Sequence, residues 1–336
     1  MPAAPVDAML RTTRPRLSDL QAPVRADLDA VVGELRRIVF SDFPPIEAIN
    51  DHLLWARGKL FRPTLVLLCN RIETAPHPAA VTLAAAVELV HLSTLVHDDA
   101  VDHSVLRRGM PTVNALWNHQ TAVIMGDYLY SRAVSTLAGL GVVELIEVLA
   151  RAANEMSVGE LRQLWSCDAL EFGEPDYHRL IASKTASLMS AACELGAVTG
   201  PSGFRTQLAR FGHALGMAFQ IADDLLDYTG TEAVTGKPVG QDLREHKVTL
   251  PLIASLRQMG QADRREVEAF FADPEPEDEA IARMVAQVEA HGGLDYARAR
   301  AEQFGEEAAV ALAELPDCPP VQALHDSIGY VIGRRR

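Results

Sequence analysis

Apolar residues recur at helical spacing along much of this 336-residue chain. Between Leu17 and Val39 they stand mostly three or four residues apart, which is the spacing of one face of an α-helix. A longer run rich in alanine and leucine extends from about Ala79 to Asp102 and predicts a second, largely apolar helix. The longer run shows no strand-like alternation, and alanine, leucine, glutamate and arginine dominate the composition. The pattern therefore favours an α-helical fold.

Two acidic motifs of the form D-D-x-x-D stand at the ends of apolar runs. They consist of Asp98, Asp99 and Asp102, and of Asp223, Asp224 and Asp227. Residues four apart lie on the same face of a helix, so the first and last aspartates of each motif point the same way. Such a pair can hold Mg²⁺, which takes oxygen ligands and completes its shell with waters and substrate phosphates. Two pairs facing each other would bind several metal ions and, through them, a diphosphate.

An acidic run on a helix is more often a solvated surface than a metal site. Here, however, Leu95-Val96 leads into the first motif and Ile221-Ala222 leads into the second. Aspartates that emerge from apolar helices are unfavourable unless metal ions or partner charges offset them. Basic residues also follow each motif closely. The pattern therefore favours metal binding over a solvated face.

Basic residues also occur at points where an anion could bind. Lys59 and Arg62 flank the start of a helix that Pro63 favours, and the first backbone N–H groups of a helix attract anions. Lys184 lies in an apolar helix, where a lysine without a partner is rare. An ordinary basic helix entry and a surface lysine are the alternative interpretations of these two sites.

The segment from Tyr228 to Lys247 interrupts the helical pattern. It contains three glycines and a proline together with Lys237 and Lys247. We expect a mobile loop that folds its lysines over a bound diphosphate, because loop closure is a common way to exclude water from a reaction.

The order of these motifs resembles the trans-isoprenyl diphosphate synthases, also called polyprenyl synthetases, of the medium- and long-chain type. The resemblance extends through Pro251. It implies an all-α fold, a bundle of roughly ten or more helices around a deep central cavity, of the isoprenoid synthase type. It also implies head-to-tail condensation of an allylic diphosphate with isopentenyl diphosphate through ionisation, condensation and elimination. About three Mg²⁺ ions would be bound per active site, and Mn²⁺ could substitute for them.

The same resemblance assigns roles to individual residues. The metal ligands would be Asp98, Asp99, Asp102, Asp223 and Asp227, with Asp224 completing the catalytic set. The allylic diphosphate would contact Arg107, Lys184, Lys237 and Lys247. Isopentenyl diphosphate would contact Lys59, Arg62, His91 and Arg108. The oxygen dipoles near the allylic cation would come from Thr185 and Gln220. No side chain stands out as a dedicated base, so the departed diphosphate would accept the proton.

The chain departs from the family pattern at three positions. The family's G-G-K-R-x-R-P has Arg57 in place of its first glycine and Leu60 in place of its inner arginine. His246 stands where glycine is common. Because Lys59 and Arg62 are retained, we expect the loss of one cation to affect diphosphate affinity rather than the reaction itself.

Product length is predicted from the helix that precedes Asp98. Ser93 and Thr94 lie about one turn, roughly 6 Å, deeper in the predicted cavity. Both are small, whereas a bulky aromatic residue would close the cavity there. We therefore predict an all-trans product longer than farnesyl, such as octaprenyl diphosphate. Geranylgeranyl diphosphate stays open as an alternative, because Val90, tyrosines 128 and 130 or a partner subunit could set the floor instead.

Composition and charge limit the partners and the compartment. The net charge of −14 disfavours nucleic acid, whose binding needs basic surfaces. The N-terminus lacks the pattern of a signal peptide, and we count no uninterrupted apolar run of the roughly 18 residues that a membrane span needs. The four cysteines are widely spaced without a metal-binding pattern. We expect a cytoplasmic protein, and the resemblance implies a homodimer.

The chain is predicted to form a single domain over residues 1–336. Residues 1–16 contain three prolines and are expected to be a loose leader. The arginines at 334–336 are expected to form a solvated terminus.

Two other classes of protein share part of this pattern. A class I terpene cyclase also ionises diphosphates with Mg²⁺, but it would not need Lys59, Arg62, His91 and Arg108. A non-catalytic subunit of a heteromeric prenyltransferase would be expected to lose one of its aspartate motifs, and both are intact here.

Overall fold

The computed structural model describes residues 15–55, 58–73, 75, 77–107, 109–164, 171–230 and 239–334. Most of the predicted leader, Arg57, Arg108 and Lys237 lie outside these residues. The first helices are α1 (Leu17–Gln21), α2 (Arg25–Val39), α3 (Pro44–Trp55), α4 (Phe61–Asn70), α5 (Ala80–Val101) and α6 (Val113–Leu116). They are followed by α7 (His119–Gly139), α8 (Val143–Leu164), α9 (Glu174–Ile181), α10 (Ser187–Val198) and α11 (Arg205–Thr229). The last are α12 (Gln241–Arg244), α13 (Leu250–Leu256), α14 (Gln261–Ala272), α15 (Asp278–Ala290), α16 (Gly293–Leu312) and α17 (Pro319–Ile332).

The remaining regular structure of the described chain is short. Two 3₁₀ turns cover Ala22–Val24 and Ser202–Phe204, and a π-helical turn covers Ala182–Ala186 between α9 and α10. The strands β1 (Leu106–Arg107) and β2 (Met110–Pro111) form an antiparallel hairpin. The prediction of an all-α bundle with many helices is confirmed.

Helices α5, α10 and α11 lie at the centre of the bundle. Helix α11 packs against α10 and α16, and α5 packs against α7, α4 and α2. Helix α11 comes very close to the π turn because Gly216 has no side chain: a Cβ built there would lie 2.5 Å from Ala186 Cα. This close approach holds residues 184 and 185 next to α11, which ends in the second acidic motif.

Helix α5 is long and apolar enough, by length and composition, to cross a membrane, although Glu88 and His91 interrupt its apolar run. In the structure, 61% of its most apolar window is buried inside the bundle. The core helix of a soluble protein passes the same test, so the finding is weak evidence for a membrane span.

A buried carboxylate, Glu174, connects α9, α13 and α16. Its two oxygens accept hydrogen bonds from Tyr296 Oη at 2.8 and 3.0 Å. Its carboxylate also forms an ion pair with Arg257, with 2.7 Å between Nη1 and Oε2. Arg300 Nε lies 3.3 Å away. Burial raises the pKa of Glu174, but the bonds from Tyr296 and Arg257 outweigh it and leave the pKa below 4.5. This cluster fixes the start of α9, which leads into the π turn.

Replacing Glu174 with Gln is expected to lower the free energy of unfolding by about 2 kcal/mol at pH 7, because two arginines lose their partner. The folded-state pKa is lowered, so the contribution is complete above the unfolded-state pKa and is lost as pH falls through the folded-state value. Urea unfolding should therefore show a difference that shrinks below about pH 4. The exposed pair Asp295–Arg298 supplies the control: Asp295→Asn should leave stability unchanged. Equal stability of wild type and Glu174→Gln at pH 7 would contradict this role.

Candidate active site

Lys247 lies near the end of the first acidic motif and near Asp242, a carboxylate beside the second; its Nζ donates to Glu245 at 2.6 Å. Its Nζ lies 3.9 Å from Asp102 Oδ2 in the first motif. Burial and the neighbouring Asp227 raise the pKa of Asp242 to about 7. Asp223 also raises this pKa, whereas the positive charge of Lys247 lowers it. The ends of α5 and α11 therefore face a common site.

Asp98 is a half-buried carboxylate whose charge is only partly compensated. Burial raises its pKa to about 6, and Lys184 and Arg107 oppose that rise. Glu160 and Asp102 raise the pKa further. A carboxylate in such surroundings gains most from a divalent cation, so Asp98 and the half-exposed Asp102 fit the donor set that Mg²⁺ prefers.

Asp99 points to a different partner. Arg107 of β1 donates from Nε to both carboxylate oxygens at 2.8 Å, and its Nη2 lies 2.8 Å from Oδ1. The Asp99 side chain is only 9% exposed. These contacts of the Arg107 guanidinium hold the hairpin against the end of α5. They engage both oxygens of Asp99, a residue that the sequence analysis assigned to a metal.

The three aspartates of the second motif also differ from one another. Asp223 is half exposed at the site. Asp224 is buried and accepts hydrogen bonds from Tyr177 Oη at 2.6 Å and Gln220 Nε2 at 2.8 Å. Burial raises the pKa of Asp224, and these two bonds oppose the rise. Of the three, Asp223 is the carboxylate that is open to a metal.

Asp227 caps the short helix α12. Its Oδ1 accepts from the backbone N–H of Gln241 at 3.1 Å, and its Oδ2 accepts from that of Asp242 at 3.0 Å. A carboxylate at a helix N-terminus is favoured by the free N–H groups there. Asp227 therefore fastens the segment after α11 to its own helix, and both of its oxygens are engaged in this role.

Only part of the predicted mobile loop is described. Residues 231–238, including Lys237, lie outside the described residues, and residues 241–244 form a helix rather than an open loop. His246 adopts φ +54°, which explains why glycine is common at this position in the family. Its Nε2 lies 2.8 Å from the carbonyl of Asp273, and its ring packs on Phe270 and Phe271. His246 thus anchors the loop to α14.

Lys184 and Thr185 lie in the π turn rather than in a continuous α-helix. Lys184 Nζ lies 2.7 Å from Glu160 Oε2 and 3.2 Å from Gln163 Oε1. Thr185 Oγ1 donates to Gln220 Oε1 at 2.7 Å. Single π turns inside helices are frequent at functional sites because they re-aim side chains. Here the turn directs Lys184 towards Asp98 and Thr185 towards α11.

The predicted isopentenyl diphosphate residues lie around the start of α4. Gln21 Nε2 donates to the carbonyl of Lys59 at 2.9 Å and so ties this loop to α1. Leu60, which replaces the family's arginine, has φ +48° and precedes the first helical residue. The Lys59 loop shares a cavity of about 310 Å³ with Glu88 and Leu92 of α5. The loop therefore lies beside the turn of α5 that carries His91, and Arg62 lies in the first turn of α4.

A family model described as polyprenyl synthetase matches residues 44–288 of the chain. The protein belongs to the polyprenyl synthetase family. It is 38% identical to heptaprenyl diphosphate synthase component 2 of Geobacillus stearothermophilus, over 92% of this chain and 96% of the relative. It is 34% identical to the octaprenyl diphosphate synthase of Escherichia coli (strain K12), over 92% and 95% of the two chains.

Solved structures of polyprenyl synthetases have the same fold. A decaprenyl diphosphate synthase from Rhodobacter capsulatus superimposes with a TM-score of 0.90 at 38% identity, covering 96% of this chain and 100% of the other. A polyprenyl synthase from Caulobacter crescentus, complexed with calcium and isoprenyl diphosphate, gives a TM-score of 0.91 at 33% identity, covering 97% and 100%. The chain is therefore a prenyltransferase of the polyprenyl synthetase family.

The predicted chain-length residues of this polyprenyl synthetase occupy different positions. Ser93 is buried, and its Oγ donates to the carbonyl of Gly126 on α7 at 2.9 Å. Thr94 is half-buried and donates to the carbonyl of His91 at 2.8 Å. Tyr128, considered as a floor residue, donates from Oη to the carbonyl of Val39 at 2.9 Å. Ser93 thus belongs to the contact between α5 and α7, and Thr94 lies one turn before Asp98.

Sequence reasoning was wrong about Arg334. Instead of a solvated terminus, its side chain is only 11% exposed and its Nη1 lies 3.4 Å from Asp223 Oδ1. Its guanidinium also stacks 4.3 Å from the centre of the Phe219 ring. Arg334 therefore reaches the active site of this polyprenyl synthetase, while residues 335–336 lie outside the described residues. A run of three arginines in a strongly acidic chain was the signal that could have indicated this.

Asp242 and Tyr177 are two further site residues that the sequence analysis did not single out. Asp242 lies among the carboxylates of the second motif, and Tyr177 contacts Asp224. Asp242 stands in the family's G-Q-D-L segment, which could have indicated it. Tyr177 lies in a separate helix, and nothing in its local sequence connects it to the aspartates.

Proposed function

We propose that this protein joins an allylic diphosphate to isopentenyl diphosphate, head to tail, and makes an all-trans polyprenyl diphosphate longer than farnesyl. The observation that carries the proposal is the approach of two acidic motifs to one site, with Lys247 near both Asp102 and Asp242 and with Lys184 and Arg107 near Asp98. Relatives named heptaprenyl, nonaprenyl and octaprenyl diphosphate synthase support a medium or long product.

The metal in this proposal is Mg²⁺, with about three ions per site and Mn²⁺ able to substitute. We assign the ligands to Asp98, Asp102 and Asp223, because both oxygens of Asp99 and Asp227 already accept hydrogen bonds from the protein. When bound, the ions would neutralise the diphosphate and favour its departure. Two related structures with calcium and isoprenyl diphosphate support a divalent-cation site.

The chain's own residues then divide the remaining work. Lys184, Arg107, Lys237 and Lys247 hold the allylic diphosphate as its C–O bond breaks, and Lys59, Arg62, His91 and Arg108 hold isopentenyl diphosphate so that its double bond meets the allylic carbon. Thr185 and Gln220 present oxygen dipoles to the allylic cation. The proton lost in the final step passes to the departed diphosphate.

We also propose that the protein is a homodimer. Large apolar side chains are exposed on neighbouring elements: Leu106 of β1 is 61% exposed, Trp117 after α6 is 37% exposed and Ile124 of α7 is 68% exposed. Side chains of this kind mark interfaces when they lie together. Light scattering should give about twice the chain mass of 36.5 kDa. A monomeric mass at micromolar concentration would contradict the proposal.

Two further parts of the proposal concern the extent of the domain and the compartment. We treat residues 1–336 as one domain. Helices α1, α2 and α17 lie outside the segment that the family model matches, yet they pack on each other or on α4 and α5. A single cooperative unfolding transition is the expected result. We place the protein in the cytoplasm, with recovery in the soluble fraction of its source cells as the test.

The deciding assay uses the purified full chain, Mg²⁺, labelled isopentenyl diphosphate and each allylic primer from dimethylallyl to geranylgeranyl diphosphate. Chromatography of the dephosphorylated products should show chains longer than farnesyl. Geranylgeranyl as the end product would support the shorter alternative. Farnesyl as the end product would contradict the prediction of product length made from Ser93 and Thr94. Turnover of an allylic diphosphate without any use of isopentenyl diphosphate would indicate a terpene cyclase, and no turnover by the chain alone would indicate a missing partner subunit.

A further inference from the structure

A continuous chain of hydrogen bonds runs through the buried side of the site. Tyr177 Oη donates to Asp224 Oδ2 at 2.6 Å, and Gln220 Nε2 donates to Asp224 Oδ1 at 2.8 Å. At the other end of the amide, Thr185 Oγ1 donates to Gln220 Oε1 at 2.7 Å. Tyr177 is 1% exposed, Asp224 is 5% exposed and Thr185 is 7% exposed. The chain therefore links α9, α11 and the π turn away from bulk water.

The chemistry of its members gives this chain a direction. Tyr177 donates to one oxygen of Asp224 and the NH₂ group of Gln220 donates to the other, so Asp224 accepts at both oxygens and the NH₂ end of Gln220 faces it. The carbonyl end of Gln220 must then face Thr185. Thr185 has one hydroxyl proton, and this contact commits that proton to Gln220. The lone pairs of Thr185 are consequently free to face the site, where Lys184 marks the position of the allylic diphosphate.

Tyr177 supplies the fixed point of this arrangement. Its hydroxyl is the other donor to Asp224, and burial, together with Asp224, keeps its pKa well above the ordinary value, so it stays protonated. Its ring is packed among apolar residues of α9, α11 and α13. A carboxylate without that donor can rotate away from Gln220. The amide then loses the contact that distinguishes its two orientations.

We propose that Tyr177 is a positioning residue for ionisation of the allylic diphosphate: through Asp224 and Gln220 it directs the oxygen of Thr185, rather than its hydroxyl proton, towards the developing cation. The proposal rests on the proposed prenyl transfer. An oxygen dipole aimed at the cation stabilises the transition state more than the ground state, so its loss lowers kcat rather than substrate affinity.

The first experiment compares Tyr177→Phe with wild type under saturating substrates and Mg²⁺. We expect kcat to fall about 10- to 100-fold, with both KM values within about twofold of wild type. Hydrolysis of the allylic diphosphate without isopentenyl diphosphate should fall by the same factor, because it reports ionisation alone. The matched control is Tyr228→Phe, which removes another buried hydroxyl, bonded to Thr249 at 3.3 Å, and should leave kcat unchanged.

A double-mutant cycle separates this role from a structural one. If Tyr177 acts through Thr185, adding Tyr177→Phe to Thr185→Val should change kcat by less than about twofold. Adding it to Thr185→Ser, which keeps the hydroxyl, should reproduce the full loss. Equal losses in the valine and serine backgrounds, or a wild-type kcat in Tyr177→Phe, would overturn the proposal. A wild-type chain without prenyl transfer would instead refute the proposed function.

A second variant keeps the test decisive if Tyr177→Phe does not fold. Asp224→Asn keeps the shape of the side chain. Tyr177 then donates to the amide oxygen of the new side chain, and the amide NH₂ group of the new side chain faces Gln220. That contact inverts the amide and turns the proton of Thr185 towards the site. We expect a kcat loss at least as large as that of Tyr177→Phe, again absent in the Thr185→Val background. An Asp224→Asn enzyme with wild-type kcat would overturn the proposal.

Discussion

Replacing Asp98 with Asn is expected to lower kcat by roughly 10³-fold or more. Asp98 is half-buried at the end of α5, and burial raises its pKa to about 6. An amide of the same shape keeps the packing but has one oxygen and no charge to offer a divalent cation. Steady-state assays over a range of Mg²⁺ concentrations should show both the loss of kcat and a higher Mg²⁺ requirement.

The control for Asp98→Asn is the same change at Asp127 on the neighbouring helix α7. Asp127 is 72% exposed and lies 3.4 Å from His97, so Asp127→Asn should retain wild-type activity. Thermal unfolding should show that both variants are folded. An Asp98→Asn enzyme within tenfold of wild-type kcat would contradict the assignment of Asp98 to the metal.

Replacing Thr94 with Phe is expected to shorten the main product by at least one isoprene unit. Thr94 lies one helical turn, about 6 Å, before Asp98 and is half-buried, so a phenyl ring there can extend into the path of the growing chain. The same ring at Ser93 would instead meet α7, because Ser93 contacts the carbonyl of Gly126. Chromatography of products from one primer, with wild type and variant side by side, measures the shift.

Thr94→Val is the matched control for the chain-length prediction. It is nearly isosteric and removes only the bond from Thr94 Oγ1 to the carbonyl of His91. We expect its product length to match that of the wild type. A Thr94→Phe enzyme that is active and gives products of unchanged length would show that the chain does not pass Thr94.

The helical fold and the position of the two motifs could be predicted from sequence because they depend on local periodicity. Apolar spacing predicts where α2 and α5 lie, and a separation of four residues places Asp98 and Asp102 on one face. Non-local contacts decide the rest. The two outer aspartates of a motif look alike in sequence, yet Asp223 is half exposed whereas Asp227 caps α12.

The remaining surprises have the same physical origin. Residues distant in the chain supply the partners: Arg107 engages Asp99, Tyr177 engages Asp224, and Arg334 reaches Asp223. The π turn at Lys184 reflects the fit between α9, α10 and the close-packed α11, so composition alone did not indicate it. The glycine preference at position 246 became explicable only from the backbone angle of His246.

The most direct test locates the metal and the diphosphate together. Crystals of the full chain would be grown with Mn²⁺ and a non-hydrolysable allylic thiodiphosphate, and data would be collected at the manganese edge. The account predicts anomalous peaks within bonding distance of Asp98, Asp102 and Asp223, each also touching a diphosphate oxygen. Peaks confined to other carboxylates, or a diphosphate bound away from both motifs, would contradict it.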